Sequence, residues 1–302
     1  RDSSVTGVQT CALPICAVEC IEHDAETRIQ WMKKTRWIGY PRAQEVMGKL
    51  EDLLRHPREA RMPSMLLIGG TNNGKTRLVR NFAQRHPVQE NPDGEHVIAP
   101  VLYVQAPPSP SEAGFYAEIL NTLFERVPTS ATDAKRAQVV KVLRGVQLKV
   151  LVVDEMHNIL AGASVKQQQF LNMIKFLSNV LEVSIVGCGT GDLLRAVSVD
   201  PQIQNRFSPE LLPKWQMNKE FRQLLMSFER ILPLREPSSL HERVLARKLL
   251  AMSEGSIGEL SMLLNLAAAH SIRKGGEQIT ADVLNACGYV SPSDRTRQAA
   301  RV

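Results

Sequence analysis

Four apolar residues, Met65 to Ile68, run into Gly69-Gly70-Thr71-Asn72-Asn73-Gly74 and then into a basic stretch opened by Lys75-Thr76. An apolar run that ends on glycines reads as a buried strand, and the residues after Thr76 carry helical spacing. Between them, the spacing Gly69-x-x-x-x-Gly74-Lys75-Thr76 fits a turn whose successive N–H groups curl inward around a phosphate. The N-terminus of the following helix adds its positive end. In such a loop the backbone of Gly69, Gly70, Thr71, Asn72, Asn73 and Gly74 cradles phosphates, with Arg77 in the first helical turn. Lys75 reaches the β- and γ-phosphates, and the Thr76 hydroxyl holds Mg²⁺.

The rest of the chain supplies the frame such a loop needs. Residues 97–106 (VIAPVLYVQA), 149–154 (KVLVVD) and 183–190 (VSIVGCGT) read as buried strands, separated by helical segments at 112–127 and 133–146. Strands alternating with helices predict a parallel sheet covered on both faces. Before the loop, residues 17–60 read as two helices broken at Gly39-Tyr40-Pro41. After about Trp215 the strand signal fades, and 218–287 is helical with a break at SEGSIGEL (253–260). The expected architecture is therefore an α/β core over 61–215, a preceding helical segment at 17–60, an all-helical subdomain at 216–290 and a loose basic tail at 291–302.

The second of these strands to carry chemistry closes on Asp154-Glu155. An acid at the end of a strand parallel to the loop strand is placed to hold Mg²⁺, giving Thr76 and Asp154 as the metal residues. Glu155 beside it can polarise an attacking water as general base. Thr190, at the tip of the next strand, is placed to sense a γ-phosphate. Arg206, in QNRF, can project into the nucleotide site of a neighbouring subunit. His157 has no second ligand at zinc spacing and is read as lining rather than as a metal ligand.

The order of loop, VVDE, VGCGT, NRF and helical lid resembles the AAA+ ATPases. RWIGYPRA, LLIGGTNNGKT, DEMHNILAG, FLNMIKFL and SEGSIGEL together resemble TniB, a family of ATP-dependent target-selection proteins of DNA transposition. That family is related to the Mu-transposition ATPase and to TnsC regulators. The resemblance covers most of 28–290. It implies a P-loop AAA+ core with a C-terminal helical lid, ATP and Mg²⁺ as cofactors, and ATP hydrolysis that is slow and stimulated by partners or DNA. It also implies sequence-independent binding to double-stranded DNA and head-to-tail assembly into a ring or helical filament. A TniA-like DDE transposase is the implied partner, with a TniQ-like targeting protein as another. Ile38 and Tyr40, from the WIGYP segment, would wall the adenine. Where many AAA+ lids carry a sensor arginine, this chain has Gly258-Glu259, and Gly258 is the lid position facing the nucleotide. The other reading of the same motifs is an AAA+ switch that acts on protein partners without a DNA role.

Composition bounds these readings without deciding between them. A net charge of +6 suits a nucleic-acid partner. Lys135 and Arg136 begin a basic helical face that could meet phosphates, although a solvated face has the same pattern. No apolar run approaches the ~18 residues of a membrane span. The five cysteines form no CxxC pair, which suits reduced thiols and a cytoplasmic protein. Residues 1–16 stand apart. VTGVQTCALPI is the translation of a string resembling a sequencing-library adapter, so this segment is expected to be an assembly artefact without a fold.

Overall fold

The computed structural model of the chain describes residues 20–301, except Thr35, Asp93, Glu95, Ser130, Val199 and Asp200. The adapter-like segment 1–16 lies outside the described residues. The rest divides into two units, one formed by Arg42–Pro213 and one by the chain up to Pro41 together with the chain from Lys214.

The first unit is built on a parallel sheet. Its strands are β1 (Ser64–Gly69), β2 (Val101–Gln105), β3 (Val150–Asp154), β4 (Ser184–Gly189) and β5 (Phe207–Leu212), in the spatial order β2-β3-β4-β1-β5. Every neighbouring pair is parallel. Every residue of β1, β3 and β4 is buried. Strands covered on both faces read as unbroken apolar runs, which is why these three are plain in the sequence. The edge strands β2 and β5 are only partly buried.

Helices Lys75–Arg85, Glu112–Thr122, Thr132–Gly145 and Ser164–Leu181 cover the sheet. Phe115, Tyr116, Ile119, Leu120, Phe170 and Ile174 pack with Leu102, Val104, Leu151 and Ile185 in one continuous core. Because the strands are parallel, the loops that leave β1, β3 and β4 all emerge at one end of the sheet. In open α/β sheets, that carboxyl end is where ligands bind.

Strand β5 has no counterpart in the sequence expectation. Its residues, FSPELL, include Pro209 and the buried Glu210. Proline lacks an N–H, so it fits an edge strand, where one row of donors needs no partner. Glu210 is neutralised by Lys49 at 2.8 Å and Arg42 at 2.9 Å, both from helix Pro41–Arg55. The strand therefore depends on cations brought from 160 residues upstream.

The second unit is helical. Helices Lys219–Ile231, Arg243–Ser253, Ile257–Lys274 and Ala281–Ala286 share a core that includes Phe221, Leu225, Leu249, Leu263 and Leu264. Ile29 and Met32 of helix Ala25–Lys33 belong to the same core. Arg28, 2% exposed, donates from Nε to the Pro233 carbonyl at 3.1 Å and pairs with Glu277.

Two boundaries differ from the sequence expectation. The segment 17–60 is not one piece, because helix Ala25–Lys33 joins the helical unit while nearly all of helix Pro41–Arg55 joins the sheet unit. Nor are residues 291–302 loose throughout. Ser291 caps a helix over Pro292–Ala299 by accepting from Asp294 N at 3.2 Å, and Arg295 pairs with Glu259.

Candidate functional site

The loop after β1 closes as its glycines require. Gly74, just before helix Lys75–Arg85, has φ of 86°, and Asn72 has φ of 58°. Glycine adopts this left-handed region at no steric cost, and asparagine tolerates it better than most residues. A Cβ on Gly69 would stand 2.9 Å from the Leu212 carbonyl oxygen, so β1 and β5 could not close up there with a side chain. Asn73 is 3% exposed and donates from Nδ2 to the carbonyls of Leu212 at 2.8 Å and Pro213 at 3.0 Å. It ties the loop to the end of β5, while its Oδ1 has no partner. Gly70 and Thr71 are exposed at the loop surface, as is Arg77 on the helix.

Lys75 is 7% exposed, with its ammonium donating to the carbonyls of Gly69 at 2.9 Å and Gly70 at 2.8 Å. Burial pulls its pKa below the usual lysine value, while Glu155 and Asp154 oppose that shift. A buried ammonium facing two carboxylates and held only by carbonyls is well placed for an anionic ligand.

One residue further on, the Thr76 hydroxyl donates to Asp154 Oδ2 at 2.7 Å. The other carboxylate oxygen, Oδ1, accepts the Glu155 N–H at 2.9 Å. Asp154 is 1% exposed at the end of β3. Glu155 follows it with φ of 53°, a backbone region that costs a non-glycine residue ~1–3 kcal/mol. The turn aims the Glu155 side chain out of the strand, where its carboxylate lies 3.5 Å from His157 Nε2. His157 is thus lining for Glu155, and its buried Nδ1 has no partner.

Thr190, at the end of β4, carries a buried Oγ1 with no hydrogen-bond partner. A buried hydroxyl left unsatisfied costs free energy and calls for a ligand or water to complete it. The register places these ends together. Ile68 pairs with Gly189 across β1 and β4, and Val153 with Gly187 across β3 and β4.

The oxygen donors suit magnesium. One carboxylate and one hydroxyl leave coordination positions for phosphate oxygens and water, the usual magnesium arrangement. Among the described residues no group of three or more His, Cys, Asp or Glu side chains could hold a metal by itself.

Sequence reasoning missed Tyr103. From β2 its hydroxyl donates to Asp154 Oδ2 at 2.8 Å, the oxygen that also accepts from the Thr76 hydroxyl. Burial, and then the bond to Asp154, push the phenol up to about 12. An aromatic in a strand carries no signal of which acid it meets, because that depends on β2 lying beside β3.

Of the other expected site residues, Arg206 lies away from this cluster within the sheet unit, and three belong to the helical unit. Arg206 is at the opposite end of the sheet, just before β5, where its backbone carbonyl accepts the Ser64 N–H at 3.1 Å. Its guanidinium donates to Asn179 Oδ1, and its Nε is buried without a partner. Ile38, Tyr40 and Gly258 belong to the helical unit. There Tyr40 sets its ring edge-on to Trp215 at 5.0 Å, and Gly258 lies in the first turn of Ile257–Lys274. Beside it, Glu259 accepts from the Tyr289 hydroxyl at 2.8 Å.

Arg136 does not suit the role expected of it on DNA. Its guanidinium is paired with Glu112 at 2.7 Å and Asp133 at 2.9 Å, and its Nε also donates to the Tyr116 hydroxyl at 3.3 Å. A cation neutralised by two acids has little charge left for a phosphate. Lys135 beside it is half-buried.

The chain matches solved structures at low sequence identity. Cdc6p from Pyrobaculum aerophilum aligns with a TM-score of 0.62 at 16% identity, covering 85% of this chain and 69% of that one. The Aeropyrum pernix ORC1 protein, solved in complex with DNA, gives 0.60 at 16% identity, covering 86% and 68%. The Aeropyrum pernix ORC2 protein, solved as ADPNP-ADP complexes, gives 0.60 at 15% identity, covering 85% and 70%. These likenesses establish the AAA+ fold. No curated protein matches the sequence. The family described as Bacterial TniB protein matches residues 28–217, a span that holds the loop at 69–76, both strand-end acids, Thr190 and Arg206. With that match over more than half its length, the chain belongs to the TniB family.

Proposed function

We propose that the protein is an ATP-hydrolysing, DNA-binding assembly factor that selects target DNA and recruits or activates a DDE transposase of the TniA type. The observation that carries the nucleotide part is the convergence at one end of the sheet of Lys75, the Thr76–Asp154 pair, Glu155 and the unsatisfied Thr190 hydroxyl. The loop N–H groups and the helix N-terminus receive the phosphates, and Lys75 leaves the carbonyls of Gly69 and Gly70 to meet them. Magnesium, when bound beside Thr76 and Asp154, supplies positive charge to the phosphate oxygens. Glu155 takes the proton of the attacking water, and Thr190 donates to the γ-phosphate.

Membership of the TniB family and the ADPNP-ADP complexes of the ORC2 relative support ATP as the nucleotide. Family membership and the DNA complex of the ORC1 relative support duplex DNA as a partner. Assembly is head-to-tail, with Arg206 completing the site of the next subunit. Lys135 remains a candidate DNA contact, while Arg136 is held by its acids. Hydrolysis is slow in the isolated protein and rises on assembly.

The test is retention of purified protein on non-specific duplex DNA with ATP, ADP or no nucleotide. ATP-dependent, salt-sensitive retention is expected, because phosphate contacts release counterions. ATP hydrolysis with no retention on DNA at low salt would leave instead an AAA+ switch acting on proteins.

A further inference from the structure

Tyr103 is a half-buried polar side chain to which the roles above give no task. It reaches from β2 to the end of β3, and its hydroxyl shares Asp154 Oδ2 with Thr76. Its ring lies under the Arg80 guanidinium, 4.9 Å from the ring centre. Arg80 sits four residues after Thr76 on helix Lys75–Arg85, so one face of that helix carries both the hydroxyl and the clamp on the ring.

We propose that Tyr103 is a positioning residue for the divalent cation, its hydroxyl holding the Asp154 carboxylate in the orientation that receives Mg²⁺. The inference rests on the nucleotide reading above. Thr76 and Asp154 now bond directly to each other, and a cation held by both must part them. Asp154 then keeps two protein donors, the Glu155 N–H on Oδ1 and the Tyr103 hydroxyl on Oδ2. A donor on each oxygen fixes the rotation of the carboxylate, whereas one donor lets it swing. Without the hydroxyl, Oδ2 loses its remaining protein partner at the moment the metal enters. Removing such an outer partner typically weakens metal binding ~10–100-fold.

The experiment uses the full chain with ADP bound and Mn²⁺ as the probe, free Mn²⁺ being read by its paramagnetic resonance signal. Tyr103→Phe keeps the ring under Arg80 and removes the hydroxyl with its bonds to Asp154 and Arg80. It should bind Mn²⁺ about tenfold more weakly, at the low end of that range. ADP affinity in chelator should stay unchanged. In turnover, the half-saturating Mg²⁺ should rise in the same proportion, with kcat at saturating Mg²⁺ near the wild-type value. Arg80→Ala, an exposed substitution that frees the ring, should shift Mn²⁺ binding in the same direction by a smaller factor. Unaltered Mn²⁺ binding in both variants, with Asp154→Asn strongly weakened, would overturn the role of Tyr103 and leave the nucleotide reading intact. If Asp154→Asn also bound Mn²⁺ as the wild type does, the metal site itself would be wrong.

Discussion

Replacing Arg206 with alanine should remove most ATP hydrolysis while leaving nucleotide binding and the fold in place. Arg206 directly precedes β5, whose first residue, Phe207, pairs with Ser64, whereas Leu212 pairs with Gly69 at the loop end. Five residue steps at the rise of a parallel strand put the two ends about 16 Å apart. Arg206 therefore cannot serve the site of its own subunit, and any catalytic role must be in a neighbour. An arginine supplied in trans is worth ~10³–10⁵ in rate, or ~4–7 kcal/mol in the barrier. The lower end of that range is the expected effect here. The structural cost is small by comparison, because one hydrogen bond to Asn179 is worth ~1 kcal/mol. Asn179→Ala, which frees the guanidinium without deleting it, should lose far less activity than Arg206→Ala.

The deciding assay mixes Arg206→Ala subunits with Lys75→Ala subunits on DNA. Each is inactive alone, since one lacks the finger and the other the phosphate-binding ammonium. In a head-to-tail assembly mixed at equal amounts, about one quarter of the interfaces join an intact pocket to an intact finger. ATPase activity should recover toward that fraction. No recovery at any ratio, with co-assembly verified by cross-linking, would refute the trans role and remove the main support for head-to-tail assembly.

Glu155→Gln should bind ATP with wild-type affinity yet hydrolyse it at least ~10²-fold more slowly, the low end of what a general base contributes, and should give long-lived DNA complexes. A wild-type rate in single-turnover assays would remove Glu155 as the base. Glu210→Ala removes the buried acid that Arg42 and Lys49 share, and chemical denaturation should read a loss of ~1–3 kcal/mol, moderated by the partial exposure of both cations and by their remaining bonds to Glu45. Tyr103, Tyr116 and Tyr289 all have folded-state pKa values raised above the usual 10.0, mainly by burial. Their contribution to stability is thus complete below pH 10 and is lost as pH rises through the folded values, about 12 for Tyr103. Tyrosinate absorbance should therefore lag behind that of the unfolded chain between pH 10 and 11, and coincident titration curves would contradict this.

Much of this protein was determined by local sequence. The loop from Gly69 to Thr76 and the acids Asp154 and Glu155 are legible because their chemistry depends on neighbours in the chain. Strands β1, β3 and β4 are legible because burial on both faces leaves an unbroken apolar run. What escaped depends on partners far along the chain. Strand β5 carries a proline and a glutamate, and becomes a strand only where β1 offers an edge and Arg42 and Lys49 offer charge. Helix Ala25–Lys33 looks like the companion of Pro41–Arg55, but Ile29 and Met32 find their buried apolar partners from Phe221 onward. Arg136 reads as a free cation until Glu112 and Asp133 are seen beside it. Tyr103 acquires its acid only because the chain lays β2 against β3. A motif of consecutive residues fixes its own geometry, whereas a hydrogen bond between strands exists only once the sheet order has been chosen.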